Sequence, residues 1–113
     1  MKYIRIKNGA VAVGDEEYNI KYIISTEDYL TKYFVDSRHI IAQADTIEGL
    51  CDEFVVAYED GSRIVYSDLA WAKTKANASL EFGHKSIIYG AIWTEWGLKY
   101  VAKLNDKGEL ELL

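Results

Sequence analysis

The chain has 113 residues, 50% hydrophobic and 27% charged, with eight Gly and no Pro, a balance that suits a folded domain and excludes a linker, a collagen-like repeat or a disordered tail. Its formal charge is −5, with twelve acids against six bases in residues 1–60 and six against seven in residues 61–113. No basic run is present to neutralise phosphates, so neither duplex DNA nor an anionic membrane surface is an expected partner.

In KYIRIKNGAVAV, Asn8-Gly9 lies between two alternating runs. A two-residue type I′ turn there predicts a hairpin that pairs Ile6 with Val11 and Ile4 with Val13, all four on one buried face. After Asp15-Glu16-Glu17, the alternation of Tyr18, Ile20, Tyr22 and Ile24 predicts a half-buried strand. Ser25 with Asp28 three residues on reads as a capping box for a short helix over Thr26 to Phe34, with Tyr29, Leu30, Tyr33 and Phe34 on one face. His39 to Ala44 reads as a strand, and Asp45 with Glu48 can cap one helical turn over Ile47 to Cys51.

FVVAYE and RIVYSD, joined at Asp60-Gly61, predict a second hairpin with Val56 opposite Val65 and Ala57 opposite Ile64. Ser67 is placed to cap a long helix over Asp68 to Phe82, whose Leu69, Ala72, Ala76 and Leu80 recur at core-stripe spacing before a left-handed cap at Gly83. From Ser86, three runs are separated by Thr94-Glu95-Trp96-Gly97 and Asn105-Asp106-Lys107-Gly108. Gly at the fourth position of each suits a type I turn followed by a G1 bulge, so the end is a three-stranded meander. The expectation is a single α+β domain over residues 1–113: antiparallel hairpins and a meander form a sheet or partly open barrel, packed against one long helix and one or two short ones.

Catalytic groups are sparse. The single Cys51 excludes an internal disulfide and a zinc site built on several thiolates. His39 and His84 are far apart and Cys51 belongs to no CxxC or HxxxH pattern, so no metal ligand set is read. Cys51 between Leu50 and Asp52 is read as a small core residue, because an adjacent carboxylate opposes thiolate formation. The glycines form no GxGxxG or GxxxxGK[ST] loop, so no nucleotide cofactor is expected. The pairs Glu16/Glu17, Glu27/Asp28 and Asp52/Glu53 are sequence neighbours that diverge on a strand or helix, and they read as solvated turns and caps. No catalytic, cofactor-binding or metal-binding residue is assigned.

The aromatic residues carry more information. Nine Tyr and three Trp against three Phe are a surplus of amphipathic rings suited to half-exposed sheet faces and interfaces. Trp71 near the helix stripe and Trp93 in alternation with Tyr89 and Ala91 are expected to cover the sheet or fill its core. Trp96, third in a four-residue turn, either folds back over its own hairpin or meets a partner. Trp96, Glu95 and Trp93 are therefore the interface candidates.

The segments Ala44 to Val56 (ADTIEGLCDEFVV) and Tyr89 to Leu113 (YGAIWTEWGLKYVAKLNDKGELELL), with the opening MKYIRIKNG, resemble small uncharacterised proteins encoded by phages and prophages of Gram-positive Firmicutes. The resemblance covers a little under half the chain and leaves out Gly14 to Arg38 and Ser67 to Gly83. It implies a viral or prophage origin and an intracellular site of action, and it carries over no reaction and no catalytic residue. The opening has no apolar h-region, and the longest apolar run, Ile87 to Trp93, is far short of the roughly 20 residues of a membrane helix. Both agree with a cytoplasmic location.

The expected function is that of a non-enzymatic accessory protein that binds a host or viral macromolecule, a protein first, with an anti-defence role such as inhibition of a CRISPR effector as one version. Self-association is compatible with it. The alternative is a small-ligand binder in which Tyr hydroxyls with Arg63 or Lys85 orient a nucleotide-like molecule in an aromatic pocket. An enzyme with dispersed active-site residues is the third reading.

Overall fold

The structure is a computed structural model that describes residues 2–6, 11–17, 20–24, 32–36 and 40–113, with side chains placed for 3–6, 11 and 41–113. The fold is α+β, and all its strand pairings are antiparallel within two five-stranded sheets. The chain divides into two compact units at Leu50 and Cys51.

The first unit holds β1 (Lys2–Ile6), β2 (Val11–Glu17), β3 (Ile20–Ile24), β4 (Lys32–Asp36), β5 (Ile40–Ala44) and α1 (Ile47–Leu50), with strand order β4-β3-β2-β1-β5. The β1–β2 pairing is one step away from the predicted register: Tyr3 opposes Val13, Ile4 opposes Ala12 and Arg5 opposes Val11. Because strand partners share a face, this step parts Ile4 from Val13, and Ile6 is instead paired with Ile40 of β5. The Asn8-Gly9 turn itself lies outside the described residues.

The helix expected over Thr26 to Phe34 is corrected in its last part. Lys32–Asp36 is a strand, with Tyr33 opposite Ile23 and Phe34 opposite Tyr22. Aromatic and β-branched residues in KYFVD favour a sheet over the helix that the Ser25 capping signal suggested; residues 25–31 lie outside the described ones, as do Tyr18 and His39. The strand expected at His39 to Ala44 is present as β5.

β4 and β5 end the sheet without pairing, so it is open and forms no closed barrel. Laid flat, their separation of four strand spacings would be about 19 Å. Asp36 and Ile40, only four Cα steps apart, can be at most about 15 Å from each other. The sheet must therefore curl. α1 lies against β1 and β5 and buries Ile47 and Leu50. Its cap is Thr46 rather than Asp45: the Gly49 amide donates to Thr46 Oγ1 at 3.0 Å, the geometry of a side chain one step before the first helical residue.

The second unit holds β6 (Glu53–Tyr58), β7 (Arg63–Tyr66), α2 (Leu69–Glu81), β8 (Ser86–Thr94), β9 (Gly97–Leu104) and β10 (Leu110–Leu112), ordered β10-β9-β8-β6-β7. The predicted meander is β8-β9-β10. The β6–β7 hairpin also forms one step away from expectation, with Val55 opposite Val65 and Val56 opposite Ile64. The reason is the turn. The Gly61 amide donates to the Tyr58 carbonyl (3.0 Å) and the Tyr58 amide to the Ser62 carbonyl (2.9 Å). Gly61 is left-handed at φ 89°, so the loop has three residues with a bulge, not the two of a type I′ turn.

α2 lies over one face of this sheet. Leu69, Ala72 and Ala76 meet Phe54, Val56 and Ile88, all buried; each large side chain in such a core contributes about 1.5–3 kcal/mol. The two alanines let the helix axis approach closely, and Lys73 Nζ donates to the Gly108 carbonyl at 3.1 Å, fixing the helix over the β9–β10 turn. The N-cap is Asp68, not Ser67: its carboxylate accepts from the Ala70 amide. Gly83 has the expected left-handed cap conformation at φ 82°, and its amide donates to the Leu80 carbonyl. Leu80 departs from the predicted stripe and is exposed. Tyr58, the last residue of β6, already hydrogen-bonds Ser79 (2.9 Å), so the helix overhangs the strand beyond that point.

Candidate interaction surface

The sequence singled out the β8–β9 hairpin for its indoles, and the ladder shows how they are presented. Thr94 pairs with Gly97 and Trp93 with Leu98, so the tip consists of Glu95 and Trp96 alone. Thr94 Oγ1 accepts from the Trp96 amide (3.2 Å) and donates to the Gly97 carbonyl (2.9 Å). Gly97 takes φ 111°, a conformation that side chains disfavour. The backbone is thus held by Thr94 and Gly97. Trp96 is 83% exposed, so its ring does not fold back over the hairpin, and Glu95 beside it is also exposed.

Trp93 is 53% exposed, which corrects the expectation of a core or sheet-covering ring. Its backbone is firmly placed. β6 begins at Glu53 opposite Ala91, and beyond that point the Asp52 carboxylate accepts from the Trp93 amide at 2.8 Å. A side chain so replaces the missing strand. Trp71 is also half exposed, its ring 4.8 Å from Lys75 Nζ on the next helical turn.

Arg63 is tied into the sheet face opposite α2. Tyr89, directly across from Val55, and Tyr100, across from Ala91, stack with centroids 4.6 Å apart. Arg63 Nη1 donates to the Tyr100 hydroxyl at 2.6 Å, and the guanidinium lies 5.3 Å from that ring's centre. Val55 and Ala91 on the same face are buried. Lys85 lies outside this group, exposed before β8, with its carbonyl accepting from the Glu59 amide. Of the two cations offered as alternatives for orienting a ligand beside Tyr hydroxyls, Arg63 lies with Tyr89 and Tyr100 and Lys85 is not part of that group.

Cys51 packs against the core of the second unit. A Cβ on Gly90 would lie 2.6 Å from its Sγ and 3.3 Å from Ala102 Cβ. The thiol therefore occupies the space that a side chain on β8 would need. Among the described residues no group of three or more His, Cys, Asp or Glu is arranged to hold a metal ion, and no helix is long and apolar enough to cross a membrane.

The exposure of Leu80 and of Phe82, 81% exposed at the helix end, was not read from the sequence. The signal available was Gly83, which stops the helix one residue after Phe82 and leaves its ring at the terminus. Comparison with protein-family models, with curated proteins and with solved structures gave no match.

Proposed function

We propose that this chain is a phage- or prophage-encoded accessory protein that acts by binding a host or viral protein, with the β8–β9 tip as its contact. One observation carries the reading: Trp96 is 83% exposed at a turn whose conformation is secured by Thr94 and Gly97. Exposing an indole forfeits burial, and large aromatic side chains are the commonest anchors of protein interfaces. Trp93, three residues earlier, adds a second half-exposed indole, and Glu95 adds a charge at the rim. Interference with a host defence effector, a CRISPR effector included, is one form that such binding takes.

The test is affinity capture from infected cells with the wild-type chain and Trp96→Ala, compared protein by protein. A partner retained by the wild type and depleted at least tenfold with the variant supports the reading, since an interface Trp carries about 2 kcal/mol or more. Equal recovery of every captured protein by the two baits removes Trp96 from the interface.

A further inference from the structure

We propose that β7 is a pairing edge at which two copies of this chain join their sheets antiparallel, about a twofold axis through Ile64. β7 ends its sheet beyond β6. The Tyr58 amide donates to Ser62, so the alternation of an antiparallel ladder turns Ile64 and Tyr66 toward β6 and aims the N–H and C=O groups of Arg63 and Val65 at the open side. Those two residues lie symmetrically about Ile64. A twofold at Ile64 sets Arg63 of one copy opposite Val65 of the other, twice, and closes a hydrogen-bonded ring at each.

The side chains suit this pairing. Ile64 is 45% and Val65 49% exposed; across the axis Ile64 meets its own counterpart, and Val65 is set opposite the uncharged backbone side of Arg63, whose guanidinium is engaged elsewhere. No like charges oppose each other within the ladder. Edge strands are usually blunted by shortness, charged side chains, Pro or a bulge; Arg63-Ile64-Val65-Tyr66 is short and carries one charge, but it contains no Lys and no Pro and pairs with β6 without a register shift. Its one charge is turned away, because Arg63 reaches across the sheet face to the Tyr100 hydroxyl. An extended strand from an unrelated protein could use the same backbone groups, but exposed Ile64 set opposite itself, with no like charges opposed in the ladder, favours a second copy.

Four edge residues bury far less than the roughly 800 Å² per partner of a standard interface, so the dimer is weak and concentration-dependent. Sedimentation of the full chain from roughly 10 to 300 μM, the range in which weak interfaces are populated, should show the average mass rising from 12.9 kDa toward twice that value. Val65→Pro removes only an outward-facing amide, and Ile64→Lys opposes two ammonium groups across the axis. Both should remain monomeric throughout with wild-type circular dichroism, and should Val65→Pro lose that signature, Ile64→Lys alone decides. Trp96→Ala should dimerise like the wild type, which keeps this edge distinct from the hairpin tip. A wild type that stays at 12.9 kDa, or a folded edge variant that still dimerises, overturns the proposal.

Discussion

At Gly90 the sheet has no room for a methyl group, because Cys51 Sγ stands 2.6 Å from where it would be. Gly90→Ala should therefore lower stability by about 1–3 kcal/mol, the usual cost of overpacking. Cys51→Ala vacates that space, so the double variant should lose less than the two single losses added together, as denaturant unfolding of all four proteins would show. Gly97 is constrained by its backbone instead. With φ at 111° and nothing within 4 Å of an added Cβ, Gly97→Val should cost about 1 kcal/mol or more through conformation alone. Trp96→Ala at the same tip should leave the melting temperature nearly unchanged, since the ring is exposed; thermal unfolding of the pair separates what the turn needs from what it displays.

The two helical leucines show where periodicity is a sufficient guide. Leu69 and Leu80 belong to one stripe, yet only Leu69 is buried, because sequence spacing gives a direction around the helix and not the length of sheet beneath it. Ala72→Leu, set against the core, should destabilise by about 1–3 kcal/mol, whereas Leu80→Ala should change stability by about 0.5 kcal/mol or less; equilibrium denaturation distinguishes them. The hairpins teach the same lesson. Both Asn8-Gly9 and Asp60-Gly61 suggested two-residue turns, and both ladders formed one step away; in the β6–β7 hairpin the cause is Gly61, which serves as the bulge residue of a three-residue loop. Hydrophobic runs thus revealed the strands. Register depended on loop length in β6–β7, and KYFVD, whose composition favours a strand, pairs with Ile20 to Ile24, an outcome that the Ser25 capping signal concealed.

That β6–β7 turn also responds to acid. Hydrogen bonds donated by the Ser62 hydroxyl and then the Ser62 amide hold the Asp60 carboxyl below its ordinary value of 3.8. A lowered carboxyl favours the folded state when ionised, so this contribution is present above that value and is lost as pH falls through it and lower. Asp60→Asn keeps an acceptor without a titration, and unfolding measured down the acid range should show a shallower decline for the variant than for the wild type.

On the scale of the whole molecule, charge decides more than shape. With a net −5 and its bases scattered singly, the chain should show no binding to labelled duplex DNA below micromolar concentration even at low salt, where attraction to phosphate is strongest. Tight binding that weakens steeply with added salt would contradict the argument. Of the candidate surface, the position of Trp96 in its turn was readable from TEWG alone. The exposure of Trp93 was not, because it depends on where β6 begins and on the Asp52 carboxylate that takes over the Trp93 amide.

The pairing of β1 with β5 also sets an order in time. During synthesis β1 has one neighbour, β2, close behind it, but its other side waits for Ile40 to Ala44. At about 5–20 residues per second, roughly 2–8 s of synthesis separate the two strands. During that interval β1 presents an open edge to the cell, and the stretch from β2 to β4 must be made before the sheet receives its last member. Because the exit tunnel conceals the most recently made stretch of chain, slowing translation between the emergence of β1 and that of β5 would lengthen this exposure, while a pause once residue 50 has emerged would find every strand of the first unit free to pair.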